Sequence, residues 1–256
     1  MVDLSGRVIV VTGAGSGIGR AIALRLSALG ASVALIGRTA STLEAVAADA
    51  AGHALAVPAD VVDRAAVDSA FARIAHELGA IHGVIANAGI GGPNDPAAAE
   101  DSWDAVIRTN LDGSYHAFRS FFRHRATAPG PQHAIAISSC VARFGVPGIS
   151  AYSAAKAGQL GLVRSLAAEW GPQGILVNAV CPGWVETQMA VDRMTEIGAA
   201  GGESYEAARA HLIEELPLQR ISAPEEIAGL VEFLLSPAAV AFTGQAFDPN
   251  NGAWMG

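Results

Sequence analysis

A chain of 256 residues with 51% hydrophobic and only 16% charged residues is long and apolar enough to build the core of one large α/β domain. Its net charge of −8, with no run of basic residues, excludes a surface that neutralises successive phosphates of a nucleic acid. Two cysteines, Cys140 and Cys181, and no paired Cys/His spacing argue against a disulfide framework and against a metal site.

In chain order, β-branched runs alternate with longer Ala- and Leu-rich stretches at helical period, the pattern of βαβ units and of a parallel sheet covered on both faces. Strands are predicted near residues 8–12, 32–36, 54–57, 83–86, 134–138, 176–180 and 245–248, and helices over 18–29, 39–50, 64–78, 100–125, 151–170 and 224–235. The apolar run at 8–11 is too short to cross a bilayer, and no basic segment with a cleavage site opens the chain. The expected location is the cytoplasm, with no membrane partner. No Pro/Gly-rich linker divides the sequence, so residues 1–256 are read as one domain. Residues 184–216 break the alternation: Met189, Met194 and Ile197 precede hinge-like Gly198 and Gly201-Gly202, which marks a substrate lid. The low charged fraction points to an exterior partly buried in an oligomer.

The segment Thr12-Gly13-Ala14-Gly15-Ser16-Gly17-Ile18-Gly19 joins the first strand to the first helix. Backbone without Cβ atoms approaches a phosphate closely, and free amides at a helix N-terminus carry partial positive charge, so a dinucleotide pyrophosphate fits there. Glycines at 13, 17 and 19 depart from the commonest G-x-G-x-x-G spacing. The second strand ends in Ile36-Gly37-Arg38-Thr39, where an acidic side chain would hold a ribose 2′-hydroxyl. A guanidinium suits a 2′-phosphate instead, which favours NADP(H) and leaves NAD(H) as the second choice. The chain's only lysine, Lys156, stands four residues after Tyr152. On a helix that spacing puts ammonium and phenol on one face, where the cation is expected to lower the phenol from about 10 towards neutrality and make it an acid/base.

Several motifs stand in register with these. Asn87-Ala88-Gly89 follows the fourth strand, Asn110 lies on the next helix, Ser139 precedes Tyr152 by thirteen residues, and Pro182-Gly183 is followed by Thr187. Together with the glycine loop and the Tyr152-x-x-x-Lys156 pair, they make the chain similar to the short-chain dehydrogenase/reductase family over essentially its full length. The resemblance implies a single Rossmann-like, doubly wound parallel sheet of about seven strands. It also implies metal-free hydride transfer between a nicotinamide cofactor and a small-molecule carbonyl or alcohol. Carried over residue by residue, Tyr152 is the proton donor and acceptor, Lys156 tunes it and holds the nicotinamide ribose, Ser139 binds the substrate oxygen, and Asn110 holds a water that resupplies the proton. Gly13, Ser16, Gly17, Ile18 and Gly19 frame the cofactor. Asp60 and Val61 lie near adenine, Asn87 and Gly89 near its ribose, Val185 and Thr187 near the carboxamide, and Pro182 and Gly183 complete the cofactor-binding set. A homotetramer or homodimer built on the helices at 100–125 and 151–170 is implied as well. The chain departs from the family at Ala86, where an asparagine is usual, and in the tail Phe247-Asp248-Pro249-Asn250-Asn251-Gly252, whose role stays open.

A serine hydrolase is excluded because Ser16 and Ser150 both lack the Gly-x-Ser-x-Gly turn. Cys140 and Cys181 read as core. The expected substrate pocket is apolar, with Val141, Phe144, Ile149, Trp184 and Met189 as its walls and Ile90, Val146 and Met194 beside them, which suits a hydrophobic ketone or secondary alcohol. Arg143 is the exception, either a partner for a substrate anion or an ion-paired arginine. The stretch 182–190 also resembles reductases of β-ketoacyl or polyketide thioesters, the second reading. A non-catalytic NADP-binding sensor is the alternative of another class.

Overall fold

The computed structural model describes residues 2–98, 101–127 and 130–256. Seven strands form one sheet: β1 (Val8–Thr12), β2 (Ser32–Gly37), β3 (Ala54–Pro58), β4 (Gly83–Ala86), β5 (Gln132–Ile137), β6 (Ile175–Val180) and β7 (Ala246–Phe247). Their order is β3-β2-β1-β4-β5-β6-β7, and every pairing is parallel. Parallel neighbours need crossovers, and the helices that supply them cover both faces.

The two-residue period of β1 shows how the faces are filled. Val8 and Val10 enter a core with Val67, Phe71, Phe118, Phe121, Leu160 and Val163, while Ile9 and Val11 enter a second core with Ile22, Leu26, Leu43, Ile227 and Val231. The first layer is therefore laid by α3 (Arg64–Leu78), α5 (Gly113–His124) and α6 (Ser150–Trp170), and the second by α1 (Gly17–Ala28), α2 (Ala40–Asp49) and α9 (Pro224–Leu234). The chain leaves β1 for β2 and β3 on one side and returns to β4 on the other, so a crevice opens at the carboxyl ends of β1 and β4, where doubly wound sheets bind ligands.

Three expectations need correction. The helix expected at 100–125 is not continuous: its first residue, Glu100, lies outside the described residues, α4 spans Trp103–Ile107, Arg108–Asp112 winds as a wider π-type turn, and α5 follows. The last strand is only two residues long, because Pro249 brings no amide to extend the pairing. The stretch 184–216 is mostly helical, with α7 (Gln188–Gly201) packed on α8 (Tyr205–Glu214). Gly198 and Gly202 are packing and capping positions. A Cβ on Gly198 would stand 3.0 Å from the Glu203 carbonyl, and Gly202, at φ 71, ends α7 in the left-handed region. Among the described residues no helix is long and apolar enough to cross a membrane.

Candidate active site

The glycine segment folds as a bare cradle. Gly13 and Gly17 have φ of 64 and 50, where a Cβ is strained. A Cβ on Gly13 would meet Ala88 Cα at 2.8 Å, and one on Gly19 would meet the Gly13 carbonyl at 2.2 Å and Asn87 Nδ2 at 2.5 Å. Ser16, exposed at the N-cap of α1, makes no side-chain bond to the helix, so the first-turn amides keep their donor capacity for an anion. Ile18 beside them is half-buried. Asn87 fastens the cradle from β4, donating from Nδ2 to the carbonyls of Thr12 at 3.0 Å and Gly13 at 3.2 Å. Substituting Gly19→Ala should cost about 1–3 kcal/mol of unfolding free energy, because the backbone carbonyl it would strike cannot rotate away. Denaturant unfolding measures this, and an unchanged midpoint would show that the loop yields.

Arg38 is exposed just past β2, and it makes no ion pair among the described residues. Asp60 follows β3 and accepts the Val62 amide at 3.1 Å, while Val61 is buried with its carbonyl against His116 Nδ1 at 2.9 Å. Both lie at the carboxyl edge of the sheet, on the same side as the cradle. From the far side, Thr187 caps α7 by accepting the Ala190 amide at 3.3 Å and leans over the loop, 3.1 Å from where a Gly17 Cβ would be. Pro182 and Val185 are buried, and the Val185 side chain belongs to the second core.

The residues of the Tyr/Lys site converge from four elements. Lys156 is 3% exposed on α6, and its Nζ donates to the Ile137 carbonyl at the end of β5 at 2.8 Å. Its ammonium stands 5.4 Å from the centre of the Tyr152 ring. Asn110, fully buried in the π-type turn, donates from Nδ2 to the carbonyls of Ile90 and Val106, each at 2.9 Å. Its Oδ1 is buried without a donor and faces Gly89, where a Cβ would lie 2.5 Å away and also 3.6 Å from Lys156 Nζ. Gly89 thus leaves a small polar space between amide oxygen and ammonium. Ser139 follows β5 and accepts the Val141 amide at 3.4 Å.

Electrostatics correct one expectation. Burial pushes the Tyr152 phenol up to about 12, and the Ser139 hydroxyl pulls against it. Lys156, bonded to the Ile137 carbonyl and 5.4 Å from the ring centre, is not among the groups that shift the phenol. Burial also brings Lys156 down to about 8, against its usual 10.5. Phenol and ammonium are therefore placed together, yet each is shifted towards its neutral form.

Of the pocket walls, Val141, Phe144, Ile149 and Trp184 are half-buried, and Met189 is 44% exposed with its sulfur 3.7 Å from a Cβ position on Gly91. Met194 is not a wall: at 1% exposure it is the core of the α7/α8 pair with Ala190 and Ile221, against which Trp184 also packs. Arg143 is ion-paired with Asp248 at 3.0 Å. Three supporting contacts carry no sequence signal of their own. The Thr12 hydroxyl accepts the amides of Asn87 and Ala88, both at 3.0 Å. Gln159, fully buried, and Ser114 donate to the Asn110 carbonyl at 2.9 and 2.7 Å. Asn94 Oδ1 accepts the Ala151 amide at the start of α6 at 3.0 Å.

A family model described as enoyl-(acyl carrier protein) reductase matches residues 13–253. An acetoacetyl-CoA reductase of Synechocystis sp. is 37% identical over 250 residues, covering 96% of each chain. Among solved structures, an actinorhodin polyketide ketoreductase with NADPH superimposes with a TM-score of 0.92 at 32% identity, covering 98% of both chains. A levodione reductase superimposes with a TM-score of 0.89 at 30% identity, covering 98% of this chain and all of its own. Agreement of sequence and coordinates over nearly the whole length shows that the chain belongs to the short-chain dehydrogenase/reductase family of oxidoreductases.

Proposed function

We propose that the chain is an NADP(H)-dependent reductase of hydrophobic ketones, interconverting them with secondary alcohols. The observation that carries the reading is the burial of its one lysine between Tyr152 and the orphaned oxygen of Asn110, beside a glycine cradle that leaves helix amides free. Burying an ammonium costs stability, and such a cost persists where function requires it. The nicotinamide supplies the hydride when bound. Tyr152, neutral up to about 12, donates its proton to the carbonyl oxygen, while Ser139 donates a hydrogen bond to the same oxygen as charge grows there. Lys156, at about 8, is a stronger acid than the phenol and returns the proton to the phenolate. Asn110 Oδ1 accepts from a water that connects Lys156 to solvent. Gly13, Ser16, Gly17, Ile18, Gly19, Asn87 and Gly89 hold the dinucleotide, Asp60 and Val61 flank its adenine, and Pro182, Gly183, Val185 and Thr187 flank its carboxamide. The α7/α8 pair serves as the lid over Val141, Phe144 and Ile149, with Met189 of α7 facing the site. Trp103 and Tyr115, 42% and 45% exposed on α4 and α5, support a homotetramer or homodimer through these helices.

The test follows oxidation of NADPH and NADH against aryl, cyclic and diketones, with acetoacetyl-CoA in parallel. Preference for the thioester would establish the second reading, which the acetoacetyl-CoA reductase relative favours. Arg38 decides the cofactor. Arg38→Asp should lower the NADPH-to-NADH ratio of kcat/KM about 30-fold, the worth of a charged hydrogen bond to a 2′-phosphate. A ratio that stays put would remove Arg38 from cofactor choice.

A further inference from the structure

Arg143 and the C-terminal tail form a charge clasp at the carboxyl ends of β5 and β7. Arg143 follows the turn Cys140–Ala142 that begins at Ser139, on the same segment as Val141 and Phe144. Asp248 follows β7. The two meet in a bidentate pair, Nη2 to Oδ2 at 3.0 Å and Nε to Oδ1 at 3.3 Å, with Nη2 also donating to the Ala246 carbonyl at 3.4 Å. The guanidinium carbon stands 4.9 Å from the centre of the Trp254 ring. Side-chain exposures of 23% for Arg143 and 18% for Asp248 leave the pair accessible from one side only.

The tail is held firmly enough to keep this geometry. Gly183 donates its amide to the Pro249 carbonyl at 3.3 Å, and a Cβ on Gly183 would meet Asn250 Cα at 3.0 Å. Asn250 Nδ2 donates to the Trp254 carbonyl at 3.0 Å, and Asn251 Nδ2 donates to Ser222 Oγ at 3.0 Å. On the other side of the clasp, the Cys140 amide donates to the Pro182 carbonyl at 2.9 Å. The loops after β5, β6 and β7 are thus tied in a row, and the pair spans from the first to the third.

A guanidinium beside Ser139 and a row of apolar walls would be a ready anchor for a substrate carboxylate or phosphate. Asp248 occupies the Nε/Nη2 edge of the guanidinium and sets its own negative charge there, and Trp254 lies against the guanidinium. We propose that Asp248 is a specificity-determining residue: by pairing with Arg143 and offsetting its charge it turns the crevice towards uncharged ketones and against anionic ones. This rests on the reading of the chain as a ketone reductase.

The experiment uses 4-acetylbenzoate and its methyl ester, which share one carbonyl and differ in charge. Turnover of the ester by the unmodified protein tests the reductase reading. Calorimetric binding of both compounds to the NADP-loaded protein tests the inference, whichever way turnover falls. Asp248→Asn should bind the acid about tenfold more tightly while the ester shifts less than about twofold, because one opposing charge has been removed beside the anion. Asp248→Glu should restore the original discrimination, and Arg143→Met in the Asp248→Asn background should erase the gain. Matching melting temperatures exclude loss of the tail's fold as the cause. Acid affinity unchanged in Asp248→Asn, a gain that survives Arg143→Met, or an original protein that already prefers the acid would each overturn the proposal.

Discussion

Replacing Tyr152 by Phe should cut ketone reduction about a thousandfold while leaving cofactor affinity and the fold in place, the range expected when a positioned general acid is removed. The ring itself does structural work: it packs on Val106, Ala151 and Ala155, with Ile90, Ile107 and Leu111 around them. Phe keeps all of that contact, so unfolding should change by less than about 1 kcal/mol. Only the hydroxyl is lost. Because burial holds the phenol neutral up to about 12, the acid is in its donating form throughout the range in which the protein is stable. The loss should therefore fall on kcat and kcat/KM alike, with KM for the ketone nearly unchanged. Steady-state assays with NADPH, together with fluorescence titration of the reduced cofactor, separate these quantities. A variant keeping more than a tenth of the turnover would mean that another group protonates the carbonyl.

The sheet was legible because most strands are short apolar runs, several of them β-branched, between helical stretches, and the period-two split of Val8 and Val10 from Ile9 and Val11 follows from pleating alone. The interruption at Arg108–Asp112 was not. That pentapeptide fits a helix as well as its neighbours do, and the wide turn exists where Gln159 and Ser114, from elsewhere in the fold or the next turn, take up the Asn110 carbonyl. Residue positions at the site were similarly readable, since spacing alone puts Tyr152 and Lys156 on one face. The bond that fixes the ammonium runs to the Ile137 carbonyl, nineteen residues away in sequence, and no local pattern reports it. The same holds for Arg143, whose partner lies 105 residues further on, and for Met194, apolar like the walls of a pocket but buried by a helix pair that appears only once α7 and α8 pack.

Lys156 should trade stability against turnover, and pH separates the two. In the folded chain its ammonium gives up its proton at about 8, against 10.5 ordinarily, a gap worth roughly 3 kcal/mol. Between those values the unfolded chain binds a proton that the folded chain does not, so stability rises with pH across the window; below 8 the full cost of the buried charge is present. Tyr152 acts in the opposite sense only above its ordinary value of 10, where the folded chain keeps the proton longer. Lys156→Met removes the charge and leaves the Ile137 carbonyl without its donor, which costs about 1–3 kcal/mol, so the two changes nearly offset at pH 7. From pH 8 to 9.5 the unmodified protein should gain about 1.5 kcal/mol on the variant. Reductive kcat of the unmodified protein should decline over the same interval, as the ammonium that reprotonates the phenolate is lost, and the variant should be slower by about a thousandfold at pH 7, with the gap narrowing above pH 8. Urea unfolding at several pH values and a pH–rate profile with NADPH measure both. A stability difference independent of pH would show that the lysine is not depressed, and a flat rate profile beyond pH 8 would take it out of the proton path.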